Sequence, residues 1–162
     1  MSNSWTPPSP QQRLAVLRQA RTVAVVGASP NPNRASYFVA SYLLAESHFQ
    51  LWFVNPTTDE VLGQPTYPTL ADLPEAPDIV DVFGKPEDLL DVAAEAVAAG
   101  AGVLWFQLRL WDLDAAELAT AGGLRVVMNH CLKIEHARFK GGLHLAGFDT
   151  GVISSRRRPE LV

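Results

Sequence analysis

The chain has 162 residues, of which 48% are hydrophobic and 19% are charged, and its formal net charge is −4. This length and apolar content predict one globular domain with its own core and exclude disorder throughout. The negative net charge argues against nucleic acid or an anionic membrane as the main partner. Cys131 is the only cysteine, which excludes an internal disulfide and favours a reducing compartment.

The termini predict how the domain is bounded. Residues 1–8 are polar and proline-rich, so we expect a flexible lead-in before a domain over residues 9–138. They lack the basic start and apolar core of a signal peptide, and no apolar run approaches the about 20 residues that span a bilayer. We therefore expect a cytoplasmic protein. Residues 139–162 contain four glycines and end in a basic run, which predicts an extended arm or a mobile tail.

Strands and helices are predicted to alternate along the domain. Short, nearly continuous apolar runs predict five buried strands at Val23–Ala28, Gln50–Asn55, Ile79–Phe83, Val103–Phe106 and Leu124–Met128. Helical spacing and capping signals predict helices over Ser9–Ala20, Ala35–Glu46, Pro86–Gly100, Asp114–Gly122 and His130–Arg138.

The alternation predicts an α/β fold with an open parallel five-stranded sheet and helices on both faces. Residues 57–77 contain four prolines, so only short elements are expected there, such as one helical turn near Leu70–Leu73. Asp114 and Asn129 are predicted to cap the last two helices. Ligands of such sheets bind outside the carboxyl ends of the strands, near the point where the strand order reverses.

The loop after the first strand is a candidate phosphate site. Gly27 permits a tight turn, Ser29 and Ser36 offer hydroxyl groups, Asn33 is a candidate cap, and Arg34 supplies positive charge. An ordinary structural turn explains the same residues equally well. The loop lacks the further glycines of the dinucleotide fingerprint and the lysine motif of a Walker loop, so an ATPase or GTPase is not favoured.

The residues at the end of the second strand indicate whether the chain could bind NAD or NADP. Nicotinamide-dinucleotide enzymes place an acidic residue there for the ribose, or an arginine for a 2′-phosphate. This chain has Asn55 and Pro56 instead, and Asp59 and Glu60 follow too late. An NAD(P)-binding enzyme or redox regulator that uses the same cleft therefore remains the alternative function.

Several separated segments resemble the small, single-domain CoA-binding proteins, stand-alone relatives of the CoA-binding domain of the succinyl-CoA synthetase α subunit. These segments are Gly27–Tyr37, Val54–Pro56, Val61–Gly63, Tyr67–Pro74, Asp78–Phe83 and Asn129–Glu135. They occur in one order and cover about residues 22–138. The resemblance implies a Rossmann-like fold and coenzyme A as the small-molecule ligand.

The resemblance also implies how CoA would lie. It places the pyrophosphate against the first loop and the following helix, the adenosine near the ends of the second and third strands, and the pantetheine arm toward the end of the fourth. The implied binding residues are Gly27, Ala28, Ser29, Asn33, Arg34, Ser36, Asn55, Pro56, Val82, Phe83, Lys85, Pro86, Gln107 and Leu108.

Three departures leave recognition of the 3′-phosphate open. Relatives usually have Asp-Arg-Cys where this chain has Asn129, His130 and Cys131, and a glycine where it has Arg109. Thr57 and Thr58 replace a basic residue that often follows the Asn-Pro pair.

Cys131 has two interpretations. The start of the predicted last helix would favour its thiolate, which makes it a candidate for a mixed disulfide with CoA. A small buried residue explains it as well, and we favour that interpretation. No histidine shows metal-ligand spacing with it.

Taken together, these observations predict non-catalytic binding of CoA or acyl-CoA that serves to sense, carry or protect it. The synthetase relatives need a phosphorylated histidine and an ATP-grasp partner domain, for which a chain of this length has no room. Ligase activity is therefore expected to be absent. A homodimer or an unidentified protein partner stays open.

Overall fold

A computed structural model describes residues 4–145, which form seven strands and five α-helices. The strands are β1 Thr22–Val26, β2 Gln50–Val54, β3 Glu60–Val61, β4 Gln64–Tyr67, β5 Ile79–Val82, β6 Val103–Phe106 and β7 Arg125–Val127. The helices are α1 Pro10–Gln19, α2 Ala35–Glu46, α3 Leu89–Ala98, α4 Leu113–Ala121 and α5 Leu132–Leu145. Two short 3₁₀ turns cover Leu70–Asp72 and Pro86–Asp88.

The strands form one sheet in the order β3-β4-β2-β1-β5-β6-β7. Every neighbouring pair is parallel except β3 and β4, which are antiparallel. The chain moves from β1 to one side of the sheet and then returns to build β5, β6 and β7 on the other side. The strand order therefore reverses between β1 and β5, which is where ligands bind in folds of this class.

Each face of the sheet buries its own apolar cluster. One cluster joins the sheet to α1, α2 and α5 through residues such as Leu17, Leu43 and Leu132. The other joins it to α3 and α4, whose buried surfaces consist of Leu89 and several alanines. Because both faces are covered, the central strands are nearly continuous apolar runs, interrupted in β5 by the buried Asp81. The predicted α/β fold with helices on both faces is confirmed.

The predicted number of five strands is wrong, because β3 and β4 were not anticipated. They form a hairpin whose two turn residues, Leu62 and Gly63, both have positive φ angles of 50° and 78°, as a type I′ turn requires. Pro65 lies in β4, and a proline within such a short run argues against a strand from sequence. The predicted helical turn is present at Leu70–Asp72.

Helix capping is partly as predicted. Ser9 and Gln12 form the expected capping box at the start of α1. The predicted cap Asp114 is wrong, since the side chain of Asp112 accepts the hydrogen bond from Ala115 N at 3.0 Å. Asn129 likewise does not cap α5, which begins three residues later, at Leu132.

The ends of the domain differ from expectation where they are described. Trp5 anchors the lead-in, because its Nε1 donates to the carbonyl of Val126 at 2.7 Å and its ring packs edge-on against Trp111. Helix α5 was predicted to end near Arg138, and it continues to Leu145 despite two glycines. The remainder of the predicted arm or tail, residues 146–162, lies outside the described residues.

Candidate functional site

The centre of the carboxyl edge of the sheet is built around Gly27. Its N–H donates to Val54 O at 3.1 Å, while the N–H of Phe83 donates to Val26 O at 2.9 Å. Gly27 has φ +84°, and a Cβ at this position would lie 2.0 Å from the carbonyl oxygen of Phe83. The ends of β1 and β5 can therefore approach this closely only because residue 27 is glycine.

Two grooves open at this edge, one on each face of the sheet. The first groove has a volume of about 730 Å³ and lies on the face of α2 and α5, and the second has about 520 Å³ and lies on the face of α3. Gly27, Phe83, Gly84 and Lys85 line both grooves, so the two are continuous across the switch point. These volumes are in the range of small-molecule sites.

The two grooves differ in charge. The described lining of the first groove contains the three cations Arg34, Lys85 and Lys133 and no carboxylate. The described lining of the second groove contains Lys85 together with the three acidic residues Asp88, Asp91 and Glu95. A polyanionic ligand therefore finds favourable charge in the first groove and unfavourable charge along α3.

The loop from β1 to α2 is held by successive side-chain to backbone hydrogen bonds. Ser36 Oγ accepts from Ser29 N at 3.1 Å, Ser29 Oγ from Asn31 N at 3.0 Å, and Asn31 Oδ1 from Asn33 N at 2.9 Å. The hydroxyl groups of Ser29 and Ser36, both candidates for a phosphate, thus each accept a hydrogen bond from the loop itself. Asn33 was a candidate cap of α2, but the N-cap residue is Arg34. The side chain of Arg34 makes no capping hydrogen bond.

Helix α2 starts without a side-chain cap. The carbonyl of Arg34 accepts from Tyr37 N at 3.1 Å and from Phe38 N at 3.3 Å, which leaves the N–H groups of Ala35 and Ser36 without an intrahelical partner. Ala35 and Ser36, in that turn, line the first groove. The helix dipole and these N–H groups favour a negatively charged group at this end of the groove.

Asn55 lines neither groove and instead joins two of the loops that form the site. Its Nδ2 donates to Ala28 O at 2.6 Å, and its Oδ1 accepts from Thr57 N at 2.7 Å and from Thr57 Oγ1 at 2.9 Å. Both ends of the amide are therefore engaged in joining the loops after β1 and β2. Ala28 is buried beside it.

The far wall of the first groove comes from β6 and α5. The buried Gln107 donates its N–H to Val82 O at 3.3 Å, and its Oε1 accepts from Leu132 N at 3.1 Å. Cys131 precedes α5, is 9% exposed, and lines the groove. The predicted position of Cys131 in the first turn of the last helix is therefore wrong, because Cys131 lies one residue before that helix.

Most of the predicted binding residues gather at these grooves. Nine of the named side chains line the first groove, namely Gly27, Ser29, Arg34, Ser36, Phe83, Lys85, Gln107, Leu108 and Cys131. Pro56 and Val82 line the second. Ala28, Asn33, Asn55 and Pro86 line neither. Their direct contact with a ligand remains a prediction.

Sequence reasoning missed several lining residues, above all Phe38, Lys133 and Ile134. Phe38 follows Arg34 by four residues, so the helical periodicity of α2 places both on one face. This spacing could have identified Phe38 as a lining residue from the sequence. Lys133 Nζ lies 4.9 Å from the ring centroids of both Phe38 and Tyr42. These contacts bring α5 against α2 across the groove.

A buried carboxyl group lies beneath the first groove. Asp81 of β5 is paired with Val25 and Trp105, which belong to the core cluster on the face of α2 and α5. It is 0% exposed, and neither of its oxygens has a hydrogen-bond partner among the described residues. Burial raises the pKa of Asp81 well above its ordinary value.

The comparison with known proteins agrees with this geometry. A family model described as a CoA binding domain matches residues 21–137. The chain belongs to this family. It is 35% identical over 130 residues to YneT, an uncharacterized protein of Bacillus subtilis strain 168, and the match covers 80% of this chain and 96% of that protein.

Two solved structures are similar over most of the family domain. A hypothetical protein from Pyrococcus horikoshii OT3 is 34% identical with a TM-score of 0.78, covering 82% of this chain and 95% of that one. Prb, a protein redesigned for binding, is 35% identical with a TM-score of 0.79, covering 83% and 94%. The resemblance to CoA-binding proteins and the Rossmann-like fold are confirmed.

The described residues lack two further kinds of feature. None of their helices combines the length and the apolar character that crossing a bilayer would demand. Within residues 4–145, no group of three or more His, Cys, Asp or Glu side chains is arranged to hold a metal ion.

Proposed function

We propose that this chain binds coenzyme A or an acyl-CoA at the carboxyl edge of its sheet, with the pyrophosphate in the first groove. The observation that carries the proposal is the charge of that groove, whose described lining has three cations and no carboxylate. Its position at the β1/β5 switch point and the uncapped start of α2 support the same placement. Membership of the CoA binding domain family supports the ligand class.

We also propose that binding is not coupled to catalysis by this chain alone. The described lining of the first groove has one thiol, Cys131, but no histidine or carboxylate that could act as its base. His130, next to it in sequence, has its Nδ1 3.5 Å from Glu135 Oε2. Sensing, carrying or protecting CoA in the cytoplasm is the role that such a site would serve.

The alternative, an NAD(P)-dependent enzyme in the same cleft, has less support. Asn55 occupies the end of β2, and its amide is engaged with Ala28 and Thr57. No acidic side chain stands in its place for an adenosine ribose.

Calorimetric titration with CoA, NAD and NADPH tests the proposal. We expect binding of CoA and no measurable binding of either dinucleotide at the same concentrations. Binding of NAD or NADPH without binding of CoA would overturn it.

The placement of the phosphates is tested by the double substitution Arg34→Ala and Lys85→Ala. Charge-assisted contacts are worth about 1.5–3 kcal/mol each, and both side chains are exposed, so we expect a loss of at least about tenfold in CoA affinity. Pantetheine, which lacks the phosphates, should bind the variant and the wild type alike. Arg21→Ala is the matched control, because this exposed arginine precedes β1 at the opposite edge of the sheet. Equal weakening of CoA and pantetheine would contradict the placement.

A further inference from the structure

Three of the eight large apolar residues that are exposed among the described residues line the first groove. Phe38 of α2 is 62% exposed, Leu108 after β6 is 51% exposed, and Ile134 of α5 is 50% exposed, and all three line it. They come from three separate elements, so no single helix pattern explains their exposure. Apolar side chains gathered in one concave site indicate that the site has an apolar ligand group.

The pyrophosphate of CoA accounts for Arg34 and Lys85 but not for these side chains. With the pyrophosphate at Arg34 and Lys85, the pantetheine arm points toward Gln107 and Leu108. The group attached to the CoA sulfur then meets the surface formed by Phe38, Leu108 and Ile134, which we call the apolar wall. An aliphatic chain is the group that such a wall stabilises.

We propose that the apolar wall holds the uncharged aliphatic acyl group of a CoA thioester, so that the preferred ligand is an acyl-CoA and not free CoA. This inference rests on the proposed function, because it needs CoA to bind in the first groove. It adds the substrate class, which membership of the family does not supply.

Lys133 raises the question of a carboxylated acyl group. Its Nζ stands over the rings of Phe38 and Tyr42, and among the described residues it forms no ion pair. The two aromatic faces stabilise the ammonium group where it is. The proposal therefore commits to an uncharged chain, and the pair succinyl-CoA and butyryl-CoA, equal in carbon number, tests that choice.

The experiment measures the dissociation constants of CoA, acetyl-CoA, butyryl-CoA and hexanoyl-CoA by calorimetry. Full burial of each methylene is worth about a threefold to fourfold gain in affinity. Since the wall is open on one side, we expect hexanoyl-CoA to bind at least about tenfold tighter than acetyl-CoA. Butyryl-CoA should bind tighter than succinyl-CoA.

The double substitution Phe38→Ser and Ile134→Ser should remove most of this chain-length dependence, which is read within the variant as the ratio of its affinities for hexanoyl-CoA and acetyl-CoA. Leu44→Ser is the control, because Leu44 is an exposed apolar residue of the same helix α2 that does not line the groove. It should keep the full dependence. Thermal unfolding of each variant verifies that the fold is retained.

Each outcome decides something different. Equal affinity for all four ligands would overturn the apolar wall and leave CoA binding in place. Tighter binding of succinyl-CoA than of butyryl-CoA would overturn the uncharged chain and assign the group to Lys133. Failure of every CoA compound to bind would overturn both this inference and the proposed function.

Discussion

The substitution Asp81→Asn should remove a large pH dependence of stability. The Asp81 carboxyl group is fully buried in β5 with no hydrogen-bond partner among the described residues, and burial raises its pKa well above 3.8. Above pH 3.8 the unfolded chain releases the proton, whereas the folded chain retains it. The stabilising contribution is therefore complete below this pH and is lost as the pH rises toward the folded pKa.

The size of the effect follows from proton linkage. One proton taken up on folding changes the free energy of unfolding by about 1.4 kcal/mol per pH unit. Between pH 3.8 and the raised pKa of the folded chain, the wild type should therefore lose about 1.4 kcal/mol relative to the Asn variant for each pH unit. A typical domain has only about 5–15 kcal/mol of stability, so this loss is readily measured.

A second buried group acts in the opposite direction. Burial lowers the pKa of His136 from 6.5 to about 4, so between these values the unfolded chain binds more protons and stability rises with pH. In the wild type the slope of His136 therefore opposes that of Asp81 between about pH 4 and pH 6.5. The difference between wild type and variant removes the contribution of His136, which both proteins share.

Urea unfolding at pH 5, 6, 7 and 8 provides the measurement. The buried amide of the Asn variant has unsatisfied hydrogen-bonding groups, which lower its stability by the same amount at every pH. They do not change the slope of stability against pH. A difference between the two proteins that does not change with pH would refute the reasoning, since it would show that Asp81 titrates alike in the folded and unfolded chains.

Two further predictions concern the ligand. If Cys131 is reactive, its thiolate attacks one sulfur of CoA disulfide, forms a mixed disulfide and releases one CoA thiolate. Mass spectrometry should then show one added CoA in the wild type and none in Cys131→Ser. No adduct in either protein would leave Cys131 with a packing role. If the adenosine lies in the second groove, Asp88→Asn with Asp91→Asn should strengthen CoA at least about threefold through reduced repulsion of the 3′-phosphate, as measured by calorimetry. Dephospho-CoA, which lacks that phosphate, should change less, and an equal gain for both would contradict this position.

The fold could be predicted from sequence where burial dictates composition. Strand β6 was predicted with its observed bounds, Val103–Phe106, because both faces of the sheet cover it and its run is purely apolar. The hairpin of β3 and β4 could not be predicted, since its pairing comes from the edge position and from the turn at Leu62 and Gly63. Hydrophobic periodicity carries no information about such a short, partly exposed pair.

The site could be predicted in its loops but not in its walls. Parallel strands bring their carboxyl ends to one edge, so Gly27 and Lys85 were expected there from strand order alone. Phe38 and Ile134 depend instead on how α2 and α5 rotate and approach each other, which is decided by packing across the sheet. The same limit applies to Asp88 and Asp91, whose charge distinguishes the two grooves.

The backbone conformation at Arg109 explains the glycine that the resemblance implies at this position, and nothing in the structure explains the arginine. Arg109 has φ +73°, a left-handed conformation in which glycine is the ordinary residue, in agreement with the glycine that the resemblance implies for relatives. Its N–H donates to Asn129 Oδ1 at 2.7 Å, and Asn129 itself has φ +63°. This hydrogen bond holds together the loops after β6 and β7 and offsets a strain of about 1–3 kcal/mol. Arg109 lines neither groove, and the cations in the described lining of the first groove are Arg34, Lys85 and Lys133.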